Sequence, residues 1–76
     1  MTPRRPRLNA PQIASVLERK GFKLVRQSGS HFIYRNAHNK RVTVPFHGSR
    51  ILHPKTLASI LRDAELTWDE LSELVP

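Results

Sequence analysis

Residues 22–45 read FKLVRQSGSHFIYRNAHNKRVTVP, and three runs within them are rich in the Phe, Val, Ile, Tyr and Thr that favour β-strands. The runs cover residues 22–27, 31–35 and 41–45. Only Ser28-Gly29-Ser30 and the turn-forming segment 36–40 separate them. Because connections this short join neighbouring antiparallel strands, the stretch predicts a three-stranded antiparallel sheet.

Helical patterns flank this stretch on both sides. Apolar residues recur three and four positions apart in two segments: Ile13, Val16 and Leu17, and then Leu57, Ile60, Leu61 and Ala64. Asn9 forms a capping-box pattern with Gln12, so the first helix is expected over about residues 10–20. Pro54 is a favoured first residue for the second helix. A last, short helix is predicted to begin after Thr67, which has Glu70 as its capping-box partner.

The element order α-β-β-β-α, with a short helix at the end, restricts the architecture. Two amphipathic helices must cover an apolar surface, and one face of a small antiparallel sheet is the one available. This predicts an α+β fold with both helices on one face of the three-stranded sheet, the layout of double-stranded-RNA-binding domains. Residues 9–76 are expected to form a single domain, since 76 residues hold one modest core. The Pro- and Arg-rich residues 1–8 are expected to form a flexible basic arm.

Charge is unevenly distributed along the chain. All thirteen Lys and Arg lie within residues 1–62, whereas five of the six acidic residues lie within residues 63–76; the net charge is +7. A segment as basic as residues 1–62 favours a polyanionic partner, either a nucleic acid or an acidic protein. No run approaches the roughly 18 apolar residues of a membrane span. With no cysteine and no apolar segment behind its basic start, the chain is expected to be cytoplasmic, without a membrane partner.

Several short motifs occur in a specific order between about residues 10 and 66. They are Gly21-Phe22, Arg26–His31 (RQSGSH), Ile33-Tyr34, Val42–His47 (VTVPFH), Thr56-Leu57 and Ile60-Leu61. This ordered set resembles the HicA family of mRNA-interferase toxins from type II toxin–antitoxin systems. The resemblance implies a double-stranded-RNA-binding-like fold, metal-independent endoribonuclease activity on mRNA, and neutralisation by an acidic HicB-type antitoxin. It also implies that the catalytic residue is the histidine of the Gly-Ser-His turn, which is His31. The chain departs from the family pattern at Lys55 and Glu65, where the family usually has glycine.

The residue types around His31 suit RNA cleavage on chemical grounds as well. RNA supplies its own nucleophile, the 2′-hydroxyl, so an enzyme has to move protons and stabilise the added negative charge. An imidazole transfers protons near neutral pH, and no cofactor is required. Gly29 and Ser30 are expected to let a phosphate approach it closely. The expected phosphate contacts are Lys23, Arg26, Arg35, Lys40 and Arg41.

The sequence leaves three alternatives open. His47 is either a second acid–base group or an ordinary loop residue. If His31 faces RNA, then Phe32 and Tyr34 point to the helices, unless a bulge near Ser30 shifts the register. The chain is either an endoribonuclease or a non-catalytic RNA-binding module of the same fold, in which His31 only contacts a phosphate. A metal site is not expected, because the four histidines show no zinc-ligand spacing and no cysteine assists them.

Overall fold

Six regular elements follow one another in the predicted order. The computed structural model describes residues 7–75, so residues 1–6 of the predicted basic arm lie outside the described residues. The helices are α1 (Ala10–Arg19), α2 (Pro54–Ala64) and α3 (Trp68–Leu74), and the strands are β1 (Lys23–Ser28), β2 (His31–Arg35) and β3 (Arg41–Pro45). The strands form one antiparallel sheet in the order β1-β2-β3. The predicted α+β fold class is confirmed.

The core lies between the helices and one face of the sheet. Both α1 and α2 pack on β3, and α3 packs on α1. The fully buried side chains come from all three helices and from β3: Ile13, Val16, Leu17, Val42, Val44, Ile60 and Leu71. The short helix α3 is therefore an integral part of the core, because it contributes the completely buried Leu71. None of the helices within residues 7–75 has the length and apolar character needed to cross a membrane.

Capping boxes define where α1 and α3 begin, as predicted. Asn9 and Gln12 exchange two hydrogen bonds of 2.9 and 3.0 Å between side chain and backbone. Thr67 and Glu70 do the same at 3.1 and 3.0 Å. Each box satisfies backbone N–H groups that have no partner inside the helix. Lys20 also pairs with Glu70 at 3.2 Å and so links the end of α1 to α3.

The helices α1 and α2 end in the same type of left-handed turn, but with different residues. Gly21 ends α1 with φ at +91°. Glu65 ends α2 with φ at +57°, while the Leu66 N–H donates to the Leu61 carbonyl at 2.8 Å. A left-handed conformation costs a residue other than glycine roughly 1–2 kcal/mol. Glu65 is therefore a strained position, and it is one of the two positions at which the chain departs from the pattern of the family that it resembles.

We expect Glu65→Gly to be more stable than Glu65→Ala by about 1 kcal/mol. Both substitutions remove the carboxylate, so the comparison isolates the backbone conformation. Urea unfolding followed by the fluorescence of Trp68, the only tryptophan, measures the difference. Equal stability of the two variants would show that the turn carries no strain.

The packed domain includes the last residue of the predicted arm. Leu8 is buried, and its carbonyl oxygen accepts a 2.7 Å hydrogen bond from the Leu52 N–H. Next to it, Asn9 forms an antiparallel bridge with Ile51. The chain before α1 is thus fixed to the segment before α2, and Leu8 belongs to the core instead of the arm.

The register of the sheet determines which side chains face the helices. Strand β2 pairs with β3 without irregularity, whereas β1 contains a bulge in which Val25 is the extra residue. Side chains alternate between the two faces along a strand. Tyr34 is buried and Phe32 packs against the core, so His31 lies on the opposite face. The bulge lies within β1 and not near Ser30, and the register of β2 follows the simple alternation.

Strand β1 forms an uncovered edge of the sheet. All six of its residues are exposed, including Leu24 at 45% and Val25 at 53%. The helices are centred over β3, at the other edge. The sheet therefore extends beyond its helical layer on the β1 side.

Candidate functional site

The face of the sheet turned away from the helices carries most of the predicted site residues. Directly paired residues in an antiparallel sheet point to the same face. This surface, the open face, consists of Lys23, Arg26 and Ser28 of β1, His31, Ile33 and Arg35 of β2, and Arg41, Thr43 and Pro45 of β3. Four of these residues are Lys or Arg, and none of them is acidic. The open face is therefore strongly basic.

Three of the cations form a row across the far end of the open face. Arg35 pairs directly with Lys23 on one side and with Arg41 on the other. Like charges opposite each other destabilise a sheet. Both ion pairs found within residues 7–75 involve other lysines, so no carboxylate there neutralises the row. The row is therefore an unneutralised cluster of positive charge whose chemistry suits an anion.

The row is separated from His31 along the strand. His31 begins β2 and Arg35 ends it, four residues later, which corresponds to about 13 Å. Arg26 lies between them, because it pairs with Ile33 in the middle of the sheet. The structure thus places Arg26 nearest to His31 among the predicted cations of the open face. The row forms a second group.

Lys40 does not join the open face. It lies in the turn between β2 and β3, and its Nζ atom pairs with Glu65 Oε1 at 2.5 Å. The hydrogen bond from Lys40 lowers the pKa of the Glu65 carboxyl below its ordinary value. The stabilisation by this pair is fully present above that ordinary pKa and is lost as the pH falls through the lowered one. Lys40 is therefore directed towards the end of α2.

His31 follows directly on a two-residue turn. Gly29, the first residue of the turn, has φ at +57°, a conformation that glycine adopts readily. A Cβ at Gly29 would meet no atom within 4 Å, so this position requires glycine for its backbone and not for space. The Ser30 carbonyl accepts a 2.6 Å hydrogen bond from the Phe46 N–H, which fixes the turn to the chain after β3.

The imidazole of His31 is accessible. The residue is exposed, and its side chain forms no hydrogen bond or ion pair with any residue between 7 and 75. The backbone on both sides is fixed by the pairing of His31 with Ser28 and with Pro45. His31 therefore combines a fixed backbone position with two ring nitrogens that are free for proton transfer.

The loop after β3 lies at the same end of the sheet as His31. The Phe46 ring stacks on that of Phe32, with ring centroids 3.9 Å apart. His47, the next residue, is exposed and lies two positions after Pro45, the direct partner of His31. The exposed Arg50 follows in the same loop, and its N–H donates to the His47 carbonyl at 3.3 Å. Arg50 was not among the predicted site residues. The sequence feature that could have pointed to it is its position, three residues after His47 in the same loop.

The other two histidines have different environments. His38 is exposed in the β2–β3 turn, at the end of the sheet opposite to His31. His53 caps α2, because its Nδ1 atom accepts a 3.1 Å hydrogen bond from the Lys55 N–H. Within residues 7–75, no three His, Asp or Glu side chains come together in a group that could hold a metal ion.

Comparison with known proteins gives one clear result. No curated protein matches the chain significantly. The model of a family described as the HicA toxin of bacterial toxin–antitoxin systems matches residues 10–66. The match includes the sheet, α1, α2 and the turn before His31, and it ends before α3. This match confirms the family resemblance that the motifs indicated. Because the family consists of toxins of toxin–antitoxin systems, it implies an antitoxin partner. The chain belongs to the HicA family of toxins.

Proposed function

We propose that this toxin is a metal-independent endoribonuclease that cleaves mRNA, with His31 as its proton-transfer group. The observation that carries the proposal is the exposed His31 imidazole at one end of the open face, whose other charged residues are all cations. A phosphodiester bound there is neutralised by the arginines and lies beside an acid–base group. Membership of a toxin family agrees with an activity that damages the cell.

The reaction needs few protein groups. The 2′-oxygen attacks the adjacent phosphorus, and the bond from phosphorus to the 5′-oxygen breaks, which leaves a 2′,3′-cyclic phosphate and a 5′-hydroxyl. One proton leaves the 2′-hydroxyl and one is added to the 5′-oxygen. The His31 imidazole takes part in this transfer, and such catalysis is typically worth about 10²–10⁴-fold. Arg26, the nearest predicted cation on the open face, stabilises the charge that develops on the phosphate.

The cation row has a different task in this proposal. Lys23, Arg35 and Arg41 lie about 13 Å from His31 along the strands, so they are assigned to a phosphate other than the reacting one. They bind a phosphate elsewhere on the same RNA strand and so position the strand across the sheet. Gly29 and Ser30 of the turn allow the scissile phosphate to approach, while Lys40 supports the fold through Glu65.

The antitoxin is proposed to be an acidic HicB-type protein that covers the open face. An acidic surface is complementary to the cations there, which speeds association and fixes orientation. Because the antitoxin and RNA would use the same arginines, their binding is mutually exclusive. Covering the Gly29–His31 turn then abolishes cleavage.

The proposed activity is tested by incubating the purified protein with single-stranded mRNA in EDTA. We expect cleavage, with 2′,3′-cyclic phosphate and 5′-hydroxyl ends identified by end-specific labelling of the products. A parallel reaction with added Mg²⁺ should proceed at the same rate. Cleavage that appears only with Mg²⁺ would contradict a metal-independent mechanism, and tight binding without any cleavage would indicate the non-catalytic RNA-binding module.

A further inference from the structure

A groove leads away from the His31 end of the sheet towards the N-terminus of α2. Its near part has a volume of about 270 Å³ and is lined by Pro45, His47 and Arg50, among others. Its far part has a volume of about 320 Å³, with Arg7 and Trp68 in its walls. The two parts share Ile51, Leu52 and His53 as lining residues, so they adjoin each other, and together they are called the flank groove.

The flank groove combines an apolar surface with a cation in each part. Ile51, common to both parts, is 48% exposed although it is a large apolar residue. Arg50 in the near part and Arg7 in the far part are exposed and have no ion pair with residues 7–75. The residues that line the groove, all from the described part of the chain, include no Asp or Glu. This pattern suits a molecule that alternates negative charges with flat apolar groups.

We propose that the flank groove binds the nucleotides adjacent to the scissile phosphate of a single-stranded RNA. Arg50 and Arg7 contact phosphates, and a base lies against Ile51. Single-strand binding sites typically combine cations that follow the backbone with apolar or aromatic surfaces for the bases. The inference rests on the proposed function, because it takes His31 as the point of cleavage.

The position of the groove supports RNA as its occupant. It begins at Pro45, the direct partner of His31, and partners across a sheet are about 5 Å apart. The cation row lies on the other side of His31, at the far end of the strand. His31 therefore lies between the cation row and the start of the flank groove, and an RNA strand that contacts both would pass the imidazole.

Two substitutions in the groove and one matched control test this inference. Arg50→Ala removes a cation and Ile51→Ala removes the apolar surface, while the backbone bridge of residue 51 to Asn9 can remain. Arg62→Ala is the control, because it removes the same charge from an exposed arginine in the last turn of α2. Steady-state cleavage is measured for a long oligoribonucleotide and for a short one that has the same cut site but lacks the nucleotides proposed to lie in the groove.

We expect Arg50→Ala and Ile51→Ala to raise KM for the long substrate about tenfold with little change in kcat, and to affect the short substrate less. For Arg50→Ala, the dependence of log affinity on log salt should also become shallower by about 0.7, the value for one lost phosphate contact on a single strand. Arg62→Ala should leave both quantities unchanged. Unchanged KM and salt dependence in both groove variants would overturn the inference while leaving the proposed function intact.

Binding measured in a His31→Ala background separates the groove from the chemistry. Fluorescence anisotropy of a labelled single-stranded RNA should show the same loss of affinity on Arg50→Ala. If the wild-type protein cleaves no RNA but this loss is found, the proposed function fails and the groove assignment stands. If Arg50→Ala and Ile51→Ala weaken a complex with the antitoxin and leave RNA affinity unchanged, the groove is a protein-docking site and the inference is wrong.

Discussion

Replacement of His31 by alanine is expected to lower kcat/KM for RNA cleavage by about 10²–10⁴-fold, the usual contribution of a general acid–base group. The loss should fall on kcat, because the arginines that bind the substrate remain. The fold should be unaffected, since His31 is exposed and its side chain bonds to no residue between 7 and 75. Initial rates, together with unfolding in urea, measure both effects.

His38→Ala is the matched control for this experiment. It is the same substitution at another exposed histidine, at the opposite end of the sheet, and it should retain wild-type activity. His47→Ala examines the other histidine near the turn: a comparable loss there identifies a second acid–base group. If folded His31→Ala cleaves RNA within a few-fold of the wild-type rate, His31 is not the proton-transfer group.

A single 2′-deoxy nucleotide on the 5′ side of the cut should abolish cleavage at that bond altogether. The mechanism proposed for His31 has no nucleophile without this hydroxyl, because the protein activates an oxygen that belongs to the RNA. Affinity for the substrate should stay almost the same, since every phosphate is retained. Gel analysis of a synthetic oligoribonucleotide with a mapped cut site gives the result directly.

The control for the deoxy substrate is a substrate with the same modification one nucleotide further along. It should be cleaved at the normal rate. A 2′-O-methyl group at the cut site should block cleavage as the deoxy sugar does, because neither leaves a hydroxyl to deprotonate. Cleavage of the deoxy bond would mean that water is the nucleophile, and the proton transfers assigned to His31 would have to be replaced.

Local signals in the sequence were sufficient for most of the fold. The helices α1 and α3 begin at capping boxes, whose partners are only three residues apart, so pattern and structure agree there. The turn at Gly29 could also be predicted from neighbouring residues, because a short Gly-containing segment between two strands restricts the connection to a hairpin. His31 could be singled out for the same reason: its position after the turn follows from the adjacent residues.

Features that depend on distant parts of the chain could not be predicted. The pairing of Lys40 with Glu65 was not predicted, because Glu65 is brought close to Lys40 only when α2 packs on the sheet. Leu8 is a single apolar residue in an Arg- and Pro-rich segment, and it is buried beside Leu52, a residue far along the chain whose N–H donates to the Leu8 carbonyl. The bulge at Val25 has no sequence signal, because an extra residue in an exposed edge strand interrupts no apolar pattern.

The uncovered edge of the sheet has a consequence for the dynamics of the toxin. Strand β1 pairs with β2 and buries none of its six residues, so it can open locally at a lower free energy than the core around β3. Lys23 and Arg26 move with β1, whereas His31 is also held by its pairing with Pro45 of β3. In the free protein, the proposed proton-transfer group is thus held by pairing on both sides, whereas the two proposed phosphate contacts lie on the strand that opens more easily. A ligand lying across β1, whether RNA or antitoxin, orders that strand as it binds, and part of its interaction energy offsets the conformational entropy that the strand loses.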